Sequence, residues 1–328
     1  MQLHHPSQVG KDRHNSQFKK IARCTLNPHL CSSTKRAASC HAASKGEERL
    51  VPFPDEFPAC IKQAQEATLA ALADGHRLIE IDFPSAGLRS VAGDAEGANE
   101  MTYNMQHLRQ FTRIWQEKSK AATTRIFFPD IGELKVAQCG KKKDPNAGSW
   151  DLDAVWDQTS FQLDYLTKPS GLLDIGIDLS KNDPASRVKP TDELLIMAYP
   201  SFDPREMDAV GKVWNGAAKE QGQSIILFNA ELDRLRNGYY PSLFYPKMAK
   251  LSKEFIPDVE AAYYLHNFKG AGGGALFRAY PGPWQVLLRL QEGMRVVHTQ
   301  EERPSLKQVA LEFLPAAVRK LRQQQSVS

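Results

Sequence analysis

Four short runs, Arg77–Phe83 (RLIEIDF), Thr124–Phe128 (TRIFF), Glu193–Tyr199 (ELLIMAY) and Ser224–Phe228 (SIILF), are apolar at nearly every position, with amphipathic helical stripes preceding three of them. A run that is apolar without two-residue alternation suits a strand covered on both faces. Strands of that kind pair in parallel, and parallel neighbours need crossovers of a dozen residues or more, usually helical. The flanking segments have helical periodicity. Phe57, Ile61, Ala64, Thr68, Leu69 and Leu72 recur at three and four, with Asp55 as candidate cap and Gly75 as stop. Met101, Met105, Leu108, Phe111, Ile114 and Trp115 form a second stripe after Asn99. Met207, Val210, Trp214 and Ala217 form a third, opened by Asp203-Pro204 and closed by Gly222. Ala261–Phe268, Ala275–Tyr280 and Trp284–Leu290 read as an antiparallel meander, and the closing stripe Leu306, Val309, Ala310, Phe313, Leu314 should be kinked or restarted by Pro315. The expected fold is α/β: three layers, a mostly parallel sheet with helices on both faces and an antiparallel C-terminal meander.

Domain limits follow from composition. Seven of the 42 Lys/Arg but only one of the 38 Asp/Glu lie in the first 44 residues, leaving 35 bases against 37 acids beyond. That basic, Ser-containing, acid-poor leader ends in small residues and lacks the apolar core of a secretory signal, so it reads as an organelle transit peptide, with a disordered basic tail as the plain alternative. Residues 45–322 then read as one domain with a loop-rich elaboration at about 139–192, where Lys141–Lys143 and Lys181-Asn182-Asp183-Pro184 are turn signals around strand-like Phe161–Leu166 and Leu172–Leu179; residues 323–328 read as a disordered tail. A slightly acidic body argues against nucleic-acid binding, which needs a cationic surface. No run approaches the ~18 apolar residues of a membrane span. Cys60 and Cys139, with no CxxC spacing, read as free thiols, and the scattered His76, His107, His266 and His298 predict no metal site.

One pattern recurs at three strand ends: Asp82-Phe83-Pro84-Ser85, Phe127-Phe128-Pro129-Asp130 and Ala198-Tyr199-Pro200-Ser201. Proline cannot donate to the ladder and is expected to end the strand, placing the next residue beyond its carboxyl end. In open α/β sheets that edge is where ligands bind. Ser85, Asp130, Ser201, Asp203 and Asn229 are therefore ligand-binding candidates, although strand stops and helix caps use the same residue types. Gly270–Ala275 spells G-x-G-x-x-A, but a strand follows where a dinucleotide site needs a helix, so a hairpin turn is the better reading. No P-loop or G-x-S-x-G occurs, and Asp151-Leu152-Asp153 alone fixes too little geometry for a metal; no cofactor and no catalytic residues are expected. Arg278, Tyr280 and Trp284 around the Pro-Gly-Pro turn are candidate partner-interface residues, a core-facing role being the competing reading.

The segments PDEFPACIKQAQEATLAAL, IFFPD, LLIMAYPSFDPREM and above all AAYYLHNF…ALFRAYPGPWQVLLR resemble the uncharacterised domain shared by cyanobacteria and chloroplasts, whose members include a plant "low photosystem II accumulation" assembly protein. The likeness spans roughly residues 50 to 315. It implies a plastid leader and a stromal, non-enzymatic auxiliary factor in photosystem II assembly. The implied partners are a photosystem II core subunit or a membrane insertase, with at most peripheral contact to the thylakoid. It carries over no catalytic residue. The alternative from the residues themselves is a nucleotide- or sugar-phosphate-binding protein or enzyme using the strand-end crevice.

Overall fold

The computed structural model describes residues 50–91, 98–139, 156, 160–168, 183–201, 203–270 and 272–325. The leader, Lys141–Lys143, Asp151, Asp153 and the strand expected at 172–179 lie outside them.

Helix α1 (Phe57–Ala73) precedes β1 (Leu78–Asp82), α2 (Ala98–Glu117), β2 (Thr124–Asp130), α3 (Ile131–Cys139) and β3 (Gln162–Thr167). Then come β4 (Leu194–Ala198), α4 (Pro204–Val213), a π turn (Trp214–Ala218), α5 (Lys219–Gln221) and β5 (Ser224–Phe228). Short α6 (Asp233–Arg236) and α7 (Pro246–Glu254) lead to β6 (Glu260–Asn267), β7 (Gly274–Ala279), β8 (Trp284–Leu290) and β9 (Gly293–Gln300). The described chain closes with α8 (Leu306–Gln308), a second π turn (Val309–Phe313) and α9 (Leu314–Gln325), which runs into the stretch read as tail.

These strands make one nine-stranded sheet, ordered β3-β2-β4-β5-β1-β6-β7-β8-β9. The first six in that order pair in parallel, and β6 through β9 pair antiparallel. The mostly parallel α/β sheet and its antiparallel C-terminal meander are thus as the sequence leads one to expect, with β9 as an additional edge strand. The apolar runs are buried on both sides. Ile79, Ile81, Ile126, Ile196 and Phe228 pack on one face against α1, α2 and α3. Leu78, Leu195, Met197, Ile225 and Leu227 pack on the other against α4, α6 and α7. Each large side chain of the α2 stripe buried there, such as Leu108 or Phe111, contributes about 1.5–3 kcal/mol.

Local chemistry sets the ends. The side chain of Asp203 accepts the Arg205 N–H at the start of α4, and Gly222 (φ +77°) ends that helical run. α1 differs from expectation: its N-cap is Glu56, which makes no side-chain cap bond, and proline in the first turn supplies the helical φ that Asp55 was expected to initiate. Pro129 lies inside β2 and does not end it. Pairing with β4 stops at Phe127, whereas pairing with β3 continues to Asp130, so the missing N–H falls where the β4 ladder has already finished. Before Pro315 the chain widens into a π turn, with Leu314 N–H bonding back to the Val309 carbonyl, which accommodates the proline without breaking the helix. The glycine run serves packing. A Cβ on Gly274 would stand 2.0 Å from the Leu287 carbonyl oxygen, and one on Gly272 (φ +92°) 2.6 Å from Val318 of α9.

Candidate functional site

Among the described helical connections, neighbouring parallel strands send theirs to opposite faces at two points. Between β2 and β4, α3 leaves to one face and α4 to the other; between β5 and β1, α6 and α2 do the same. Such points open crevices beyond the carboxyl ends.

The β5–β1 crevice, extended by the end of β6, holds a cavity of about 340 Å3. Asp82, Phe83, Pro84 and Ser85 follow β1; Asn229, Glu231, Asp233 and Arg234 follow β5; Leu265, His266 and Asn267 end β6; and Glu100 and Asn104 reach in from α2. Asn229 builds the junction. With φ +49° it turns the chain sharply, its Oδ1 accepts the Phe83 N–H (3.0 Å), and its Nδ2 donates to Asn104 Oδ1 (2.7 Å). Asparagine tolerates this left-handed conformation better than most residues. Glu231, also left-handed at φ +48°, donates its N–H to Asp82 Oδ2 (3.0 Å).

The walls are acidic. Burial pushes the Asp82 carboxyl well up, reinforced by Glu80, Glu231 and Asp233. Burial also raises Glu231, outweighing Arg234 and Ser201, and raises Glu100, with Glu231 adding to it. Asp233 goes the other way: burial pushes it up, but Arg303, the Tyr264 hydroxyl and Arg236 together hold it below the usual range. His266 is lowered by burial despite Asp233 nearby, and His107 by burial despite its 2.9 Å contact with the Ser85 carbonyl.

Behind Asp82 stands a buried ionic network. Glu80, fully buried on β1, is held by both Arg236 nitrogens at 2.7 Å each and by Arg303 at 3.2 Å. Arg303 also donates to Asp233 Oδ1 (2.7 Å), and its guanidinium lies 4.1 Å from the Tyr264 ring centroid. Tyr264 donates to Asp233 in turn. Charges taken from water need this saturation of partners.

Of the five ligand candidates, Ser85 and Asn229 line the cavity. Ser201 lies one layer behind, its carbonyl accepting from Arg234 (2.7 Å). Asp130 and Asp203 are helix caps: Asp130 Oδ1 accepts the N–H groups of Gly132 (2.6 Å) and Glu133 (2.9 Å), and Asp203 accepts that of Arg205 (2.8 Å). The cavity acids Asp82, Glu100, Glu231 and Asp233 escaped sequence reasoning. Asp82 and Asn267 carried a signal, each being a polar residue at the end of an apolar strand; the others, on short or helical segments, carried none. Around the Pro-Gly-Pro turn, Trp284 is buried, Arg278 is half-buried and bonded to Glu260 (2.6 Å), and Tyr280 donates to Asp74 (2.7 Å). Cys60 is buried beside Tyr263, and burial pushes its thiol up to about 12.

An open α/β sheet with a ligand-sized crevice at its carboxyl edge defines the class. The chain belongs to the family described as a domain of unknown function, DUF1995, whose model matches residues 54–311. No curated protein and no solved structure matches it.

Proposed function

We propose that the protein acts by binding, and that the cavity beyond β5, β1 and β6 holds a small polar molecule. The carrying observation is the coincidence of a roughly 340 Å3 cavity with the β5–β1 switch point, where Ser85 and Asn229 meet. That volume lies at the lower end of the ~300–1,000 Å3 range of small-molecule sites. A thermal-shift panel of amines, amino acids, nucleotides and sugar phosphates tests it: a ligand at 100 times its Kd adds about 2.7 kcal/mol of stability. A flat response across the panel overturns the reading.

A second reading, a stromal auxiliary factor in photosystem II assembly, is favoured by a different observation. The loop between α6 and α7 exposes Tyr239 (69%), Leu243 (84%), Phe244 (74%) and Tyr245 (42%) in one stretch. Contiguous exposed apolar surface suits contact with another apolar surface, such as a photosystem II core subunit or an insertase before assembly. Family resemblance supplies the plastid context. Co-purification from solubilised thylakoids, lost on replacing Leu243 and Phe244 by Ser, supports it; recovery as a free protein with normal photosystem II in a knockout overturns it.

A further inference from the structure

We propose that the cavity selects an organic ammonium, a primary or secondary amine on a short apolar body, and discriminates against phosphates. The inference rests on the reading of the cavity as a ligand site and assigns its chemistry from donors and acceptors.

Several donors of the wall are engaged. Arg234, the one basic side chain among the lining residues apart from His266, pairs with Glu231 at 2.5 Å and donates to the Ser201 carbonyl. The Asn229 amide donates to Asn104, and the Asn267 amide donates to the carbonyls of Leu88 and Ser90, both at 2.8 Å. Ser90 Oγ donates to the Gly87 carbonyl, and the N–H groups of Phe83 and Glu231 go to Asn229 and Asp82. A phosphate entering here would meet the carboxyls of Asp82, Glu100 and Glu231, and burying an anion beside them is costly.

Acceptors are in surplus. Asp82, Glu100 and Glu231 converge on the space. Asn267, only 2% exposed, also lines it with its Oδ1 accepting no hydrogen bond. The two bonds donated by Asn267 Nδ2 fix the amide plane, so this oxygen cannot exchange roles with the nitrogen. An ammonium offers two or three N–H donors and a positive charge, which complements this set. A metal ion does not: among the described residues no three His, Cys, Asp or Glu side chains gather closely enough to hold one. Phe83 and Leu265 supply apolar wall for a short carbon chain.

The carboxyls give the proposal a signature. Asp82 faces Glu80 on its own strand, Glu231, Asp233 and Arg234 after β5, Glu100 from α2, His266 on β6, and Arg236 and Arg303 behind. Burial and mutual repulsion raise Asp82, Glu100 and Glu231, so an arriving cation favours their ionised forms and expels protons. Affinity for an amine should therefore climb as pH rises above the ordinary carboxylate range, with buffer-dependent binding heat.

The test is calorimetric titration of the full chain with 1,4-diaminobutane and, separately, with inorganic phosphate. Each is run in two buffers of different ionisation heat, on the parent protein, E100Q and D82N. Glu100 sits half-buried in the first turn of α2, where its side chain holds no hydrogen bond to another described residue, so E100Q serves if D82N fails to fold. The expected result is diamine binding with proton release, weakened about tenfold in E100Q, and no heat from phosphate. Phosphate binding in preference to diamine overturns the ammonium assignment while leaving the ligand-site reading in place. Diamine binding indifferent to both substitutions marks loose surface association and also overturns it. Silence with both probes, alongside a hit from the wider thermal-shift panel, overturns only the chemistry; silence throughout overturns both.

Discussion

The sheet has two switch points, and they ended differently. At β2–β4 the described residues fill the strand ends: Tyr199, at φ +34°, is wholly buried, its hydroxyl donates to Glu133 Oε2 (3.2 Å), and Asp130 and Asp203 are bound into their own helix ends. At β5–β1 the residue in the matching left-handed position is Asn229, and the space beyond it is open. Topology provides both crevices; the strand-end side chain decides which is filled. An aromatic ring plugs one from inside, whereas a short amide ties the strand ends together and leaves room. At their carboxyl ends the two regions also differ in how charge is handled, by local capping at β2–β4 and by a buried network behind Asp82 at β5–β1; the buried Arg125–Asp192 pair of β2 lies at the opposite end of its strand.

The largest effect expected from that contrast is in the network. Arg236→Ala removes two of the three bonds to a carboxylate that has no exposure, and breaking a buried pair typically costs about 3–5 kcal/mol. Asp130→Ala, which removes a cap near the filled strand ends, should cost only about 1 kcal/mol. Urea unfolding of both variants measures the difference. A loss below about 1 kcal/mol for Arg236→Ala would mean that Arg303 alone satisfies Glu80, and the contrast between the regions would collapse.

An intermediate effect is expected at the hinge of the open crevice. Asn229→Ala leaves the Phe83 N–H and Asn104 Oδ1 unpaired in buried surroundings and places a Cβ-bearing residue without a local polar compensation at φ +49°. About 2–4 kcal/mol should be lost, together with any ligand response. Asn229→Gly, which relieves the dihedral but not the lost bonds, should recover part of the stability and none of the binding. Equal stability in the two variants would show that the backbone conformation carries no strain.

The physics of burial explains what the sequence disclosed. β1, β2, β4 and β5 were legible because both their faces are covered, which forces continuous apolar runs such as SIILF. β9 was not, because an edge strand half open to solvent carries Arg295, His298 and Gln300 among its apolar residues and loses the contrast. α3 was hidden by starting at the residue after β2, with no linker to punctuate it, and α7 by being short and lysine-rich with only Met248 and Leu251 buried. The strand-end rule found Ser85 and Asn229 because they follow apolar runs. It also raised Asp130 and Asp203, since a cap and a ligand group are the same residue types in the same place. Glu231 and Glu100 were beyond reach: their convergence depends on which way two connections leave the sheet, and that is a property of strand order.

The smallest effect separates the regions by sign. Asp203, close to the filled strand ends, is held below the usual carboxylate range, first by the Arg205 side chain and then by its backbone N–H. A depressed carboxyl stabilises the fold above its unfolded value, so that contribution is present at neutral pH and is lost as pH falls below about 4. Asp82, at the open crevice, is raised by burial and by its acidic neighbours, so its penalty is absent at low pH and grows as pH rises above about 4. Asp203→Ala should therefore cost about 1 kcal/mol at neutral pH, with the deficit narrowing on acidification. Asp82→Asn should match its parent in acid and gain on it toward neutrality. Unfolding midpoints measured across that range should diverge in opposite directions for the two variants. Parallel curves would mean that the Asp82 carboxyl is solvated as freely as a surface group, and the open crevice would then be no drier than the surface around it.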